Sequence, residues 1–417
     1  MRKKIIAIIV TLMLMFTGSF ALIACNSGVV EIEFFQQNQQ DEVIFNKIIL
    51  DFQKENPKIR VKQISLPEEI ADSVKAIRFQ NNDIPDIFND WFNSDFFDGV
   101  DNGQIKDMTD SELLQYIDTE MLDSVKYNGK NYMIPMTRNY VGVYYNKAIF
   151  NQHGISIPET LEEFWEVCKT LKSKGVLPIV AADQDGWNLA HWAQSIIGMY
   201  MPNYSAEYKS IFNGTLKVAE MQGISDLANI VVTRTQYVQT SPLGTGTDSA
   251  VAEFALGHAA MFLNGSWLNG SIESVNNNLD YAVFPFPGPT NSETRIMSNA
   301  DYSFALSAKS SPKKAEATET FLRYLLTDGA KYYISQTHAP SAIIDVKADS
   351  SRYTLIKKIM DDGSFFRMTN QGRWTSQTYL DYTVALQNLV LTGNKNTFYQ
   401  EFEDALTSSG IPKVYID

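Results

Sequence analysis

Trp267 ends the segment 257–267, GHAAMFLNGSW. There Gly257, Ala259, Ala260 and Met261 allow a helix or strand to pack closely, and Asn264, Gly265 and Ser266 form a turn. Such a turn would project the indole out of the core. A flat apolar ring stacks beneath the C–H face of a sugar, while amides and carboxylates take the hydroxyls at its rim. Residues 183–192, DQDGWNLAHW, follow the apolar stretch 177–181. Asp185 and Trp187 are therefore candidates at the carboxyl end of a strand, where open α/β sheets hold ligands. His191 and Trp192 begin the pattern Trp192, Ile196, Ile197 and are expected to pack inside a helix. Two further polar segments, 36–40 (QQNQQ) and 89–93 (NDWFN), stand at the ends of predicted strands.

Catalytic signatures are missing. The stretch 264–268 lacks the flanking glycines of a Gly-x-Ser-x-Gly elbow, and there is no His-Glu-x-x-His. His153, His191, His258 and His338 are dispersed without ligand spacing, so neither a metal nor another cofactor is expected. Residues 244–249, GTGTDS, lack the Gly-Lys ending of a phosphate loop and read as a flexible loop. Carboxylates are plentiful, which keeps a secreted glycosidase with two opposed acids as the competing class.

The elements that must position these residues alternate from Glu31 onward. A strand at 32–35 precedes a helix at 41–54, with Phe45, Ile48, Ile49 and Phe52 on one face and a stop at Asn56 and Pro57. A strand at 59–64 and a helix at 67–80 with Ile70, Val74 and Ile77 aligned follow, and 85–88 supplies a third strand. This βαβαβ order opens a doubly wound sheet. Asn128 and Gly129 predict a hairpin turn, and 139–147 a strand. The region 158–273 is mostly helical in pattern, with Leu161, Phe164, Trp165, Cys168 and Leu171 at helical spacing and Cys168 as a core thiol. Residues 281–289, YAVFPFPGP, favour an extended course suited to crossing between lobes.

Arg2, Lys3 and Lys4, an apolar run at 5–16 broken only by Thr11, and then LIAC at 22–25 have the layout of an export signal. The run is shorter than the ~20 apolar residues of a membrane span. The LIAC ending resembles a bacterial lipobox, which implies a lipid thioether on Cys25 and removal of residues 1–24. That leaves Cys168 without a disulfide partner. The net charge of −13 becomes −16 when Arg2, Lys3 and Lys4 are removed. So acidic a chain disfavours nucleic acid and anionic ligands. Roughly 390 residues exceed what one core usually serves, so two lobes are expected.

Four segments in this order, 127–135 (YNGKNYMIP), 144–147 (YYNK), 158–164 (PETLEEF) and 257–267, resemble the maltose-binding-protein-like solute receptors of ABC importers, extracellular solute-binding family 1. The resemblance covers nearly all of the mature chain. It implies two α/β lobes of the type II periplasmic-binding-protein-like fold, each with a doubly wound sheet, and a ligand cleft that closes between them. The division it suggests is a signal at 1–24, a linker at 25–30, the first lobe at 31–143 and 285–340, and the second at 144–284 and 341–417. It implies ligand contacts at Gln37, Asn38 and Gln39, at Trp91, at Asn139 where an acid often stands, at Trp267, and at Arg373 and Trp374 as a further aromatic region. The implied partners are a neutral oligosaccharide, a membrane reached through Cys25, and permease subunits that a monomeric receptor would serve. A receptor for glycerol phosphate and a surface adhesin are the other solute-binding alternatives.

Overall fold

The computed structural model describes residues 28–408 other than 67 and 371–373, so the export signal, Cys25 and Arg373 lie outside the described residues. The opening is the anticipated alternation of strand and helix. Strands β1 (Val30–Gln36), β2 (Ile59–Ser65) and β3 (Ile87–Asn89) run parallel, with β1 between the other two. The helix Glu42–Glu55 joins β1 to β2 and buries Phe45, Ile48, Ile49 and Phe52. Helix Glu68–Gln80 turns differently from its apolar spacing: Ile70 and Ile77 are exposed, and Ala71 and Lys75 face inward. The buried Lys75 ammonium, 2.5 Å from the buried Asp90 carboxylate, sets that rotation.

A hairpin of β4 (Lys126–Tyr127) and β5 (Lys130–Asn131) turns at Asn128 and Gly129, both at positive φ as a tight two-residue turn requires. After β6 (Ile134–Pro135) the chain enters a second sheet. It contains β7 (Val141–Asn146), β8 (Leu177–Val180), β9 (Ala259–Gly265) and β10 (Tyr281–Phe284) in the order β10-β7-β9-β8. This sheet is mixed: β8 runs parallel to β9, whereas β7 is antiparallel to both β9 and β10. Strand β11 (Ile296–Met297) later pairs with β13 (Phe365–Phe366). Between them β12 (Ser303–Leu306) returns to the first sheet, whose order is β2-β1-β3-β12-β6.

Each sheet carries its own cores. Phe34, Phe45, Phe304 and Phe321 pack together in one lobe. Phe164, Cys168, Leu171 and Trp192 pack in the other, where burial pushes the Cys168 thiol well above its ordinary range. Core membership marks the passages between lobes. Met136 belongs to the first core and Val141 to the second. Phe286 and Met297 still belong to the second and Tyr302 to the first, so the return expected at 285 falls at 298–301. The proline-rich run stays in the second lobe because Phe286 is buried edge-on against Phe164 and Trp192. Likewise Ala342, Ile343 and Val346 remain in the first core, Ala348 still packs against it and Tyr353 enters the second, which moves the last passage beyond 341 to 349–352.

Candidate ligand-binding site

On the second-lobe side the helix Gly186–Tyr200 begins directly after the loop that follows β8. Trp187 and His191, four residues apart, share one face. Trp267 arrives from the end of β9 in the short turn Ser266–Leu268, and Tyr379 from the helix Ser376–Thr392. The rings meet in a wedge. Trp187 and Trp267 are 6.2 Å apart at 57°, and His191 stands edge-on to both, at 5.8 Å and 5.2 Å. Tyr379 closes the far side of the imidazole at 6.3 Å. All four residues are half-buried, so each has apolar or polar surface left to offer.

Gly265 holds this arrangement together. A β-carbon there would overlap the benzo edge of Trp267, so only glycine lets the indole lie flat against β9. Its carbonyl accepts the buried Tyr144 hydroxyl at 2.9 Å. The turn therefore keeps Trp267 half inside, packed on both second-lobe cores, rather than thrown clear of them.

An amide relay fixes the neighbouring loops. Asn264 Nδ2 donates to Asn188 Oδ1 at 2.7 Å, and Asn188 Nδ2 to Thr247 Oγ1 at 2.8 Å. Asp185 Oδ2 then accepts both the N–H and the hydroxyl of Thr247 at 2.6 Å. Asp185 thus satisfies the first turn of the helix Thr247–Ala255 through Oδ2, a structural duty beside the ligand contact expected of it. Trp374 is a correction. It is 3 % exposed and enclosed by Tyr208, Tyr382 and Phe402, which makes it core; the aromatic that this region does present is Tyr379.

On the first-lobe side the loop after β1 divides its labour. Gln37 is buried and ties β1 to β3, donating through N–H to Asn89 Oδ1 and through Nε2 to Asn89 O. It stands behind the surface; Asn38, half-buried, and Gln39, exposed, are the amides that face outward. Trp91 is half-buried on the loop after β3, its N–H held by Asp90 Oδ1 at 2.8 Å. Asn93 caps the next helix, Ser94–Asp101. Asp95 in that helix accepts the Ser376 hydroxyl of the second lobe at 2.7 Å. One turn beyond Ser376 lies Tyr379, so this bond joins the helix that follows the Trp91 loop to the helix that carries Tyr379.

Two carboxyls missed in the sequence lie nearby. Asp41 accepts the Tyr333 hydroxyl at 2.7 Å, and burial, reinforced by the charge of Asp301, pushes its pKa up to about 7. Asp301 lies on the second passage between lobes and receives Asn139 Nδ2 at 3.4 Å; burial pushes it up to about 6. Asn139 also accepts the Asn299 N–H at 2.9 Å, so it links two passages besides lying where a ligand contact was expected. Asp41 looked like an ordinary helix-start acid. Asp301 was hidden in a segment with no periodicity; the only signal was a run of polar residues between strands.

The second-lobe wedge offers indole faces and an imidazole, and the first-lobe loops offer outward amides and the half-buried Trp91, a set suited to a neutral polyhydroxyl solute. Comparison with known proteins agrees in kind. Residues 47–366 match the family described as bacterial extracellular solute-binding protein. The multiple sugar-binding protein of Streptococcus mutans serotype c is 29% identical over 393 residues, covering 90% of this chain and 91% of the relative. The melibiose/raffinose/stachyose-binding protein MelE of Bacillus subtilis is 23% identical over 312 residues, 73% and 72% of the two chains. Among solved structures, RafE in complex with raffinose superposes with a TM-score of 0.83 at 25% identity, covering 91% of this chain and 99% of that one.

Proposed function

The chain belongs to the bacterial extracellular solute-binding protein family, and on that premise we propose that it captures a neutral oligosaccharide, raffinose-type α-galactosides first, between its two lobes. The captured sugar passes to the permease of an ABC importer, and lipid on Cys25 holds the monomeric receptor at the outer face of the membrane. The observation that carries this reading is the wedge of Trp187 and Trp267 in one lobe, whose neighbouring helix, the one bearing Tyr379, is hydrogen-bonded through Ser376 to Asp95 of the other lobe. Several indole platforms in separate segments suit several sugar rings. The relatives named for raffinose, melibiose and stachyose support the choice of ligand. The acidic chain argues against glycerol phosphate and against nucleic acid.

A receptor fits better than a hydrolase. A glycosidase needs two carboxyls pushed apart in pKa so that one is acid and the other ionised. Asp41 and Asp301 are both raised by burial, and the relatives are named as sugar-binding proteins, which supports a receptor.

Titration calorimetry with neutral di- to tetrasaccharides, monosaccharides and glycerol phosphate tests the proposal. Raffinose-type sugars should bind tightest and return unchanged, without new reducing ends. Trp267→Ala should weaken the best ligand by ~1–3 kcal/mol, the scale for burying one large side chain. An anion as the tightest ligand, or undiminished binding by Trp267→Ala, sinks the stacked-sugar reading.

A further inference from the structure

The imidazole at the base of the aromatic wedge has one nitrogen committed and one open. His191 Nδ1 lies 2.8 Å from the Trp187 carbonyl, which can only accept, so Nδ1 must carry the proton. The Tyr379 hydroxyl, 3.2 Å from the same nitrogen, is then a second acceptor and orients the ring from the other side. In the neutral ring this leaves the Nε2 lone pair facing outward. Nε2 makes no hydrogen bond among the described residues, and it is not among the sealed, unpartnered polar atoms. Two indole rings flank it, at 57° to each other.

We propose that His191 is a specificity-determining residue of the second-lobe subsite: Nε2 accepts a hydroxyl from a sugar ring seated between Trp187 and Trp267. This rests on the sugar-binding reading above. The indoles recognise C–H faces and tolerate any hydroxyl pattern, whereas one lone pair at a fixed place demands a donor there. A site built to bond a hydroxyl rejects an analogue lacking it far more strongly than an apolar pocket rejects a change of size. Burial pushes the imidazole pKa below its ordinary value, which keeps the ring neutral and the lone pair available around neutrality. The rings and carbonyl that hold His191 come from the helix Gly186–Tyr200, the end of β9 and the helix Ser376–Thr392, so the acceptor is braced by three elements.

The test uses the full chain, raffinose, and two amides. Asn at 191 can copy the Nδ1 donor to the Trp187 carbonyl but offers nothing at the Nε2 position; Gln can reach that position with an amide. His191→Asn should weaken raffinose binding by roughly ten-fold or more, and His191→Gln should recover most of it, with the two variants melting alike. Long-range proton–nitrogen spectra should show the Nδ1-protonated tautomer in the free protein and a displaced Nε2 resonance at raffinose saturation. Equal binding by parent and both variants, an unmoved Nε2 resonance, or equal weakening by both variants in step with lost melting temperature would each overturn the role of His191 while leaving the sugar reading intact. A parent that binds no saccharide of the panel overturns the sugar reading and this proposal with it.

Discussion

Asp41→Asn should stabilise the sugar-free protein, and by roughly 2–3 kcal/mol more at pH 8 than at pH 5. The parent carboxyl is 6 % exposed and has one hydroxyl donor, Tyr333. Burial and the neighbouring Asp301 outweigh the hydrogen bonds from Tyr333 and Asn38, and move the pKa from 3.8 to about 7. In the unfolded chain the group titrates near its ordinary value. Between these two limits the folded state holds a proton that the unfolded state has lost, so stability must fall as pH rises. The whole displacement corresponds to about 4 kcal/mol. Of this, roughly 2–3 kcal/mol falls between pH 5 and pH 8. Asparagine copies the shape of the protonated acid, can still accept from Tyr333, and cannot ionise. Urea unfolding followed by tryptophan fluorescence at pH 5, 6, 7 and 8 gives the two stability curves. The parent should decline more steeply by that amount, and the variant should keep only the gentler slope that Asp301 contributes around its value of about 6. Parallel curves would show that Asp41 is ionised at ordinary pH in the fold and would refute the argument.

Three other outcomes follow from the geometry. Arg234→Met removes the buried partner of Asp183, over which Trp192 lies at 4.8 Å from the guanidinium, and should cost ~3–5 kcal/mol in urea unfolding; the double change Asp183→Leu with Arg234→Met should recover much of it. Ser376→Ala deletes the bond to Asp95 across the lobes and should speed sugar release about two- to five-fold in stopped-flow fluorescence, an exposed bond being worth little more; an unchanged release rate would mean that this bond does not hold the closed form. Cys25→Ser should release the protein from washed membranes with sugar binding intact, whereas retention would favour an uncleaved hydrophobic anchor.

Local signals determined much of this protein. Short apolar stretches located β1, β2 and β3, and helical spacing located the face Phe45, Ile48, Ile49 and Phe52, because burial of one face is a property of neighbours along the chain. Asn128 and Gly129 announced their hairpin because positive φ favours those residue types. The sequence also nominated Trp187 and Trp267, which the fold brings to 6.2 Å.

What tertiary structure alone decided were the choices between residues of equal local character. Asp185 and Asp301 are both acids in loops, yet one accepts from Thr247 and the other is buried beside Asn139. Trp374 and Tyr379 stand five residues apart in one aromatic-bearing segment, and only packing against Tyr208, Tyr382 and Phe402 made the first core, while the second reached His191. The passages between lobes moved from 285 and 341 because Phe286 and Ile343 found cores on the side their sequence neighbours did not announce. Hydrogen-bond partners and burial are set by elements far apart in the chain, so residue type can limit the ligand's chemistry but cannot assign each contact.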